Sequence, residues 1–220
     1  RAARLYEIAL RHGCADPGER CNVLRHLGEV MVAAGQGLQG AERIIEGAEL
    51  APDPGEAIKL RALGVESLFR CAEHARALEH LHPLLNALGL TLWRRQSIAL
   101  ATLLSLRGQL WLQRRRGAER GRELSPEARL RMDVLWSLGV GLSLYDPLNA
   151  FILQVRHALL AEQQGSPEHI ALARATESFI LAWEGGERNR RQSRRAMAAA
   201  EERALTTTDP RVRAHLYVMS

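Results

Sequence analysis

Lysine is almost missing from this chain. Among the 30 basic residues in 220, only Lys59 is a lysine and the other 29 are arginines. A bias so complete reads first as a coding preference, and a basic composition alone therefore proves little about binding. It also excludes one chemistry. A phosphate-binding loop of the nucleotide-hydrolase type needs Gly-Lys followed by Ser or Thr, so that backbone N–H groups and an ammonium surround the phosphates. Lys59 follows Ile58 inside a helical pattern, so no such loop is present. Long apolar runs are missing as well: Ser97 to Leu106 and Leu135 to Tyr145 stop short of the ~18 to 20 residues that cross a bilayer, and no membrane partner is expected. Cysteine is scarce and odd in number, with Cys14, Cys21 and Cys71, which fits a reducing compartment and predicts a cytoplasmic protein. The first residues, RAARLYEIALRHG, carry no initiator Met, no apolar signal core and no cleavage site. The chain reads as a piece of a longer one.

What is present is globular and helical. The formal charge is +5 and the apolar share 46%, within the range of folded soluble domains. A chain of this length buries roughly 70% of its extended surface and needs neither disulfides nor metals as staples. Apolar residues recur at three- and four-residue spacing, as in Val23, Leu24, Leu27, Met31 and then Ile44, Ile45, Ala48, and strict alternation is absent. The spacing predicts an all-α fold of about ten helices. Breaks fall near Gly13 to Gly18, Gly35 to Gly37, Pro52 to Gly55, Gly89, Gly117 to Pro126, Asp146, Gly165, Gly185 and Thr206 to Pro210. Ser125-Pro126, Ser166-Pro167 and Asp209-Pro210 each place an N-capping oxygen before a proline whose missing N–H costs nothing at the first helical position.

Helices of similar length raise the question of a repeat. From Leu24, the chain puts Leu24, Leu27, Gly28 and Met31 on one helix, then Gly40, Ile44 and Gly47 on the next, with Pro52 closing the unit. Small residues that let two antiparallel helices approach, and large ones that fill the space between pairs, in this order, form the tetratricopeptide pattern. The second-helix signature recurs 38 residues earlier as Ala2, Tyr6 and Ala9, so the chain is expected to begin on the second helix of a truncated repeat. Leu135, Leu138, Gly139 and Leu142, followed by Phe151, Val155 and Ala158, form a further match. The pairs around Ile58 to Leu88 and Ile170 to Leu205 fit loosely, which leaves an irregular helical bundle as the alternative. The expected architecture is a right-handed α-α superhelix, a single solenoid over residues 1–220 with a soft boundary at 117–125.

No motif asks for catalysis. His12, Cys14, Cys21 and His26 are zinc-ligand types, but compact zinc units bring two ligands within two to four residues twice over, and these do not. His80 and His82 stand two apart on a helix and diverge. Gly139-Val140-Gly141 follows no strand and reads as close helix packing. A nucleophile elbow and the protein-kinase motifs are missing, while Glu42, Glu46 and Glu49 read as a solvated helix face. No cofactor, metal or catalytic residue is expected, although an enzyme built from dispersed residues stays open. Charge is the most informative polar feature. The first 110 residues carry 13 basic and 12 acidic side chains, the second 110 carry 17 and 13. The excess gathers at Arg107, Arg114, Arg115, Arg116, Arg120, Arg122, Arg129 and Arg131, and again at Arg188, Arg190, Arg191, Arg194 and Arg195. These clusters fit a solvated face, an acidic protein surface, or nucleic-acid phosphates. Trp111, Trp136, Phe179 and Trp183 lie on apolar helix faces nearby and are expected to pack in the core.

The runs ARLYEIALRHG, VLRHLGEVMVAAGQGLQGAERIIEGAE, LRALGVESLFRCAEHARALEHLHPLLNALGL and RLRMDVLWSLGVGLSLYDPLNAFILQVRHALLAE together resemble the helical region downstream of the ATPase module in large bacterial serine/threonine protein kinases. The resemblance implies a non-catalytic regulatory array that docks a partner protein or a neighbouring domain, with every kinase and ATPase motif outside these residues. Similar arrays occur in ATPase-containing transcriptional regulators, which stays an alternative, as does a nucleic-acid-binding helical domain. First-helix side chains line the groove of such arrays, so Arg25, Glu29, Arg61, Arg70 and Trp136 are the candidate partner-binding residues, and Arg114, Arg115, Arg116, Arg190, Arg191, Arg194 and Arg195 the candidate basic patch.

Overall fold

The computed structural model describes residues 2–13, 16–116 and 124–219. Cys14, Arg120 and Arg122 lie outside them, as does the expected soft boundary at 117–125 up to residue 123. The fold is all-α. Among the described residues there are eleven helices: α1 (Ala2–His12), α2 (Pro17–Ala33), α3 (Gly37–Leu50), α4 (Pro54–Arg70), α5 (His74–Ala87), α6 (Gln96–Arg116), α7 (Pro126–Leu142), α8 (Pro147–Gln164), α9 (Pro167–Glu184), α10 (Glu187–Ala204) and α11 (Pro210–Met219).

Local chemistry sets several of the starts. Asp16 accepts from the Glu19 N–H at 2.9 Å and Asp53 from the Glu56 N–H at 2.8 Å, each before a proline. Ser125 Oγ caps α7 by accepting from the Ala128 N–H at 3.2 Å. The cap expected at Ser166 is not made: its hydroxyl is buried with no protein partner, and Pro167 alone starts α9. The fixed proline φ suffices there because its missing N–H removes one of the donors a cap would serve.

The helices gather into two compact units that interleave along the chain, residues 1–100 with 133–153 and residues 101–132 with 154–220. In the first unit, α2 folds back on α3, α3 on α4, and α4 on α5. The glycines of the repeat pattern do what their smallness predicts. A Cβ on Gly28 would stand 2.5 Å from the Gly40 carbonyl oxygen and from Ile44, and a Cβ on Gly40 would stand 2.6 Å from the Gly28 carbonyl oxygen. That close approach lets Cys21, Ile44, Ala48 and Leu60 meet in one apolar cluster, each large side chain contributing about 2 kcal/mol through burial. The second half of α7 lies on α4: Ser137 Oγ bonds Glu66, Lys59 reaches Asp133 at 3.5 Å, and a Cβ on Gly141 would come within 2.9 Å of the Glu66 Cα. The Gly139–Gly141 segment is thus a packing surface inside a helix. Asn149 clamps the strand-free segment before α6, accepting from the Trp93 N–H at 2.9 Å and donating to its carbonyl at 3.1 Å.

In the second unit, α9 and α10 form a hairpin with α11 laid on α9. Small residues again permit it. Ser193, Ala196, Ala200 and Ala204 are the buried positions of α10, and Ser178 Oγ meets Ser193 Oγ at 2.9 Å. Two apolar clusters, Leu110 with Ala158 and Ala173, and Met132 with Ala161 and Ile170, tie α6, α7, α8 and α9 together.

Candidate functional site

The candidate groove residues do not make one patch. On α2, Arg25 and Glu29 share a face and hold each other at 3.4 Å, while His26 bonds both and stacks on Tyr6 with ring centroids 6.0 Å apart. On α4, Arg61 is exposed and Arg70 reaches back to Glu66 at 3.4 Å. Nine residues separate Arg61 from Arg70, about two and a half helical turns, so they leave the helix on opposite sides. Trp136 on α7 is half-buried. Glu66 is the unusual group here: burial pushes its carboxyl up, and the Ser137 hydroxyl and Arg70 guanidinium only partly restore the charged form.

Part of the first arginine cluster is engaged within its own unit. Arg114 forms a two-pronged bond to Glu177, at 3.0 and 2.8 Å, and a third bond to Glu162 at 3.1 Å. Arg174 joins at 2.8 Å from Glu162, giving a four-charge network across α6, α8 and α9. Burial opposes the Glu177 charge, yet the bond to Arg114 and the nearby Arg114, Arg174 and Arg107 charges hold its carboxyl below the usual range. Arg129 pairs with Glu168 at 3.4 Å. Arg115 and Arg116 stay exposed, Arg115 with its guanidinium 3.8 Å over the Trp111 ring.

The second cluster is different. Arg188, Arg190, Arg191, Arg194 and Arg195 occupy the exposed side of α10, opposite the buried serine and alanines. Glu187, Arg188, Arg191, Gln192 and Arg195 line an open depression of about 450 Å³. Among the described residues, the one ion pair made by these five arginines is Arg191 with Glu187 at 3.1 Å. Arg188 and Arg190 stand in the first turn of α10, the positive end of the helix dipole, beside the favourably placed Glu187, and Glu201 and Glu202 stand near its negative end beside the favourably placed Arg203. A charge in a terminal turn is worth roughly 0.3 to 1 kcal/mol, so Glu187 and Arg203 offset part of the cost, and Arg194 and Arg195 lie mid-helix, beyond the dipole's reach.

Three features escaped sequence reasoning. The Arg114 network joins residues 48 and 63 apart, beyond any local spacing rule. His157 and His169 are both buried, with His157 Nε2 3.0 Å from His169 Nδ1. Third, the aromatics expected in the core are largely exposed: Trp111 is 55% exposed, Phe179 45% and Trp183 83%. Helical periodicity marks an apolar face but says nothing of whether another element covers it. Among the described residues no three His, Cys, Asp or Glu side chains converge as metal ligands; Cys21 lies in the apolar cluster with Ile44. No described helix is long and apolar enough to cross a membrane. Comparison with family models, curated proteins and solved structures found no match to the chain.

Proposed function

We propose that the chain is a non-catalytic regulatory segment that docks an acidic protein surface, on a partner or on a neighbouring domain, through the arginine face of α10. One observation carries the reading: five exposed arginines on one side of α10, four of them without an ion pair among the described residues. Exposed cations gathered on one side of a helix, most of them without an ion pair among the described residues, suit an external anionic partner. Guanidinium forks bind carboxylates in two-pronged geometry, which makes arginine well suited to such a surface. The setting in a serine/threonine kinase polypeptide with an ATPase module rests on the sequence resemblance. Reading the coding region upstream tests it, since a phosphate-binding loop followed upstream by a kinase signature is the expected order.

The density of arginines also favours a second reading, nucleic-acid binding. One experiment separates the two. Binding of labelled poly-glutamate and of random duplex DNA is measured at physiological salt for the chain and for a variant with Arg190, Arg191, Arg194 and Arg195 all changed to Glu. Saturable poly-glutamate binding, reduced about 100-fold or more by the variant, is expected, with steep weakening as salt rises. Duplex binding that exceeds poly-glutamate binding and vanishes in the variant transfers the site to nucleic acid.

A further inference from the structure

Helix α6 has two apolar faces, and only one is used. From Gln96 to Leu112 its single charged residue is Arg107. The inner face buries Leu103 and Leu110, the latter against Ala158 and Ala173. On the other side Leu104 is 61% exposed, Trp111 55% and Leu112 43%. Positions 104, 108, 111, 112 and 115 follow the four-, three- and four-residue steps of a single helical stripe, about three turns long. Thr102, Ser105, Gln109 and Gln113 form a polar side between the two, so the outer apolar stripe is a separate face without a cover among the described residues.

Gly108 sits in the middle of that outer stripe, and it is the informative residue. Glycine inside a helix is disfavoured relative to alanine, and chains keep it where a Cβ would collide. At Gly28, Gly40 and Gly141 it would; at Gly108 a Cβ would meet nothing within 4 Å. Nothing in the packing of the described residues calls for this glycine. It leaves room for a second helix to come as close as α2 and α3 come to each other at Gly28 and Gly40. The surroundings specify the charge of that helix. α6 contains no Asp or Glu, Arg107 borders the stripe, Arg115 closes its C-terminal end, and Arg116 follows it. Arg115 is already laid over the Trp111 ring, and Trp and Arg are the side chains that dominate binding energy at protein interfaces.

We propose that the outer face of α6, formed by Leu104, Gly108, Trp111, Leu112 and Arg115, docks an amphipathic helix of a partner protein whose apolar stripe is flanked by carboxylates. The inference rests on the reading of the chain as a docking segment, but on a different helix from α10.

The test uses two labelled helical peptides that share one Leu/Ala face, flanked by Glu in one and by Lys in the other, titrated with the 220-residue chain at physiological salt and read by fluorescence anisotropy. The Glu peptide is expected to bind saturably and about tenfold or more tighter than the Lys peptide, and Leu104→Glu and Trp111→Ala are each expected to weaken it about tenfold. Gly108→Ala is the discriminating variant: it is expected to raise the thermal midpoint by about 2 °C while weakening the peptide at least several-fold. The α10 charge-reversal variant is expected to weaken the peptide much less than Leu104→Glu does, because its charges lie on a different helix from the apolar stripe. Peptide binding that persists when poly-glutamate binding fails leaves α6 standing and removes α10; the converse removes α6 alone. Equal binding of both peptides, no saturable binding, or affinity indifferent to Leu104→Glu and Gly108→Ala overturns the proposal. So does a concentration-dependent dimer abolished by Leu104→Glu, which assigns the face to a second copy, or capture of duplex DNA or anionic vesicles through these same residues.

Discussion

At Gly28 the chain has no room for one methyl group. The obstacle is the backbone carbonyl of Gly40 together with Ile44, both 2.5 Å from the site of a Cβ, and a carbonyl in a paired helix cannot swing aside as a side-chain tip can. Gly28→Ala is therefore expected to cost about 2 to 3 kcal/mol, measured as a lower denaturant midpoint with an unchanged slope; a loss under about 0.5 kcal/mol is incompatible with the packing described. Gly108, equally small and equally mid-helix, is expected to respond with the opposite sign. The same residue type thus marks an internal contact in one place and an open face in another, and neighbours absent from the local sequence decide which.

Among the elements, α6 depends most on charge for its place. Arg114, Glu162, Arg174 and Glu177 are 13% to 30% exposed, dry enough for each to need the others. Removing one partner strands the rest: Arg114→Ala is expected to destabilise the second unit by about 3 kcal/mol. Replacing Arg114 by Met together with Glu177 by Leu is expected to cost less than the single change, because no carboxylate is then left without its main partner. Chemical denaturation of the two variants checks this, and a double variant less stable than Arg114→Ala contradicts it. The pairing also explains why a run of three arginines does not act as one patch: Arg114 turns inward to the carboxylates of α8 and α9 while Arg115 and Arg116 stay outside. Adjacent helical residues leave the axis in different directions, so a sequence cluster is not yet a surface cluster. On α10 the arginines do share a side, because the opposite side is taken by Ser193 and the alanines that admit α9.

Over the whole molecule, acid sensitivity is unevenly distributed. His157 and His215 both belong to the second unit. Burial, with smaller contributions from His169 and His215, lowers His157 to about 3, and burial lowers His215 to about 4. The ordinary histidine value is near 6.5, so below that pH the unfolded chain takes up protons that the folded one refuses. Stability is complete above about pH 6.5 and is lost as pH falls toward these lower values. Between pH 6.5 and 5, above the ordinary carboxylate range, the thermal midpoint is expected to fall, and hydrogen exchange is expected to accelerate first in α8, α9 and α11. A flat midpoint across that window, or acceleration starting in α2 and α3, argues against it. The geometry reinforces the sign: with His157 Nε2 and His169 Nδ1 3.0 Å apart, one nitrogen donates and the other accepts, and a second proton between them has no place.

Much of the architecture was readable without coordinates, since helices are set by local periodicity and local stops. The spacing of Leu24, Leu27, Gly28 and Met31, the small residues of α3, and the caps at Asp16, Asp53 and Ser125 are short-range facts, and they determined an all-α chain of paired helices. Ser166 shows where even this fails, since its hydroxyl is buried without making the cap that the Ser-Pro pair predicts. Only the tertiary structure decided which apolar faces are covered and which arginines are neutralised. Trp111 and Leu110 are neighbours with the same local helical signal, yet one is exposed and the other buried. Covering depends on which distant helix arrives, and a side chain's charge partner depends on contacts 48 or 63 residues away; neither is encoded in the period of a single helix.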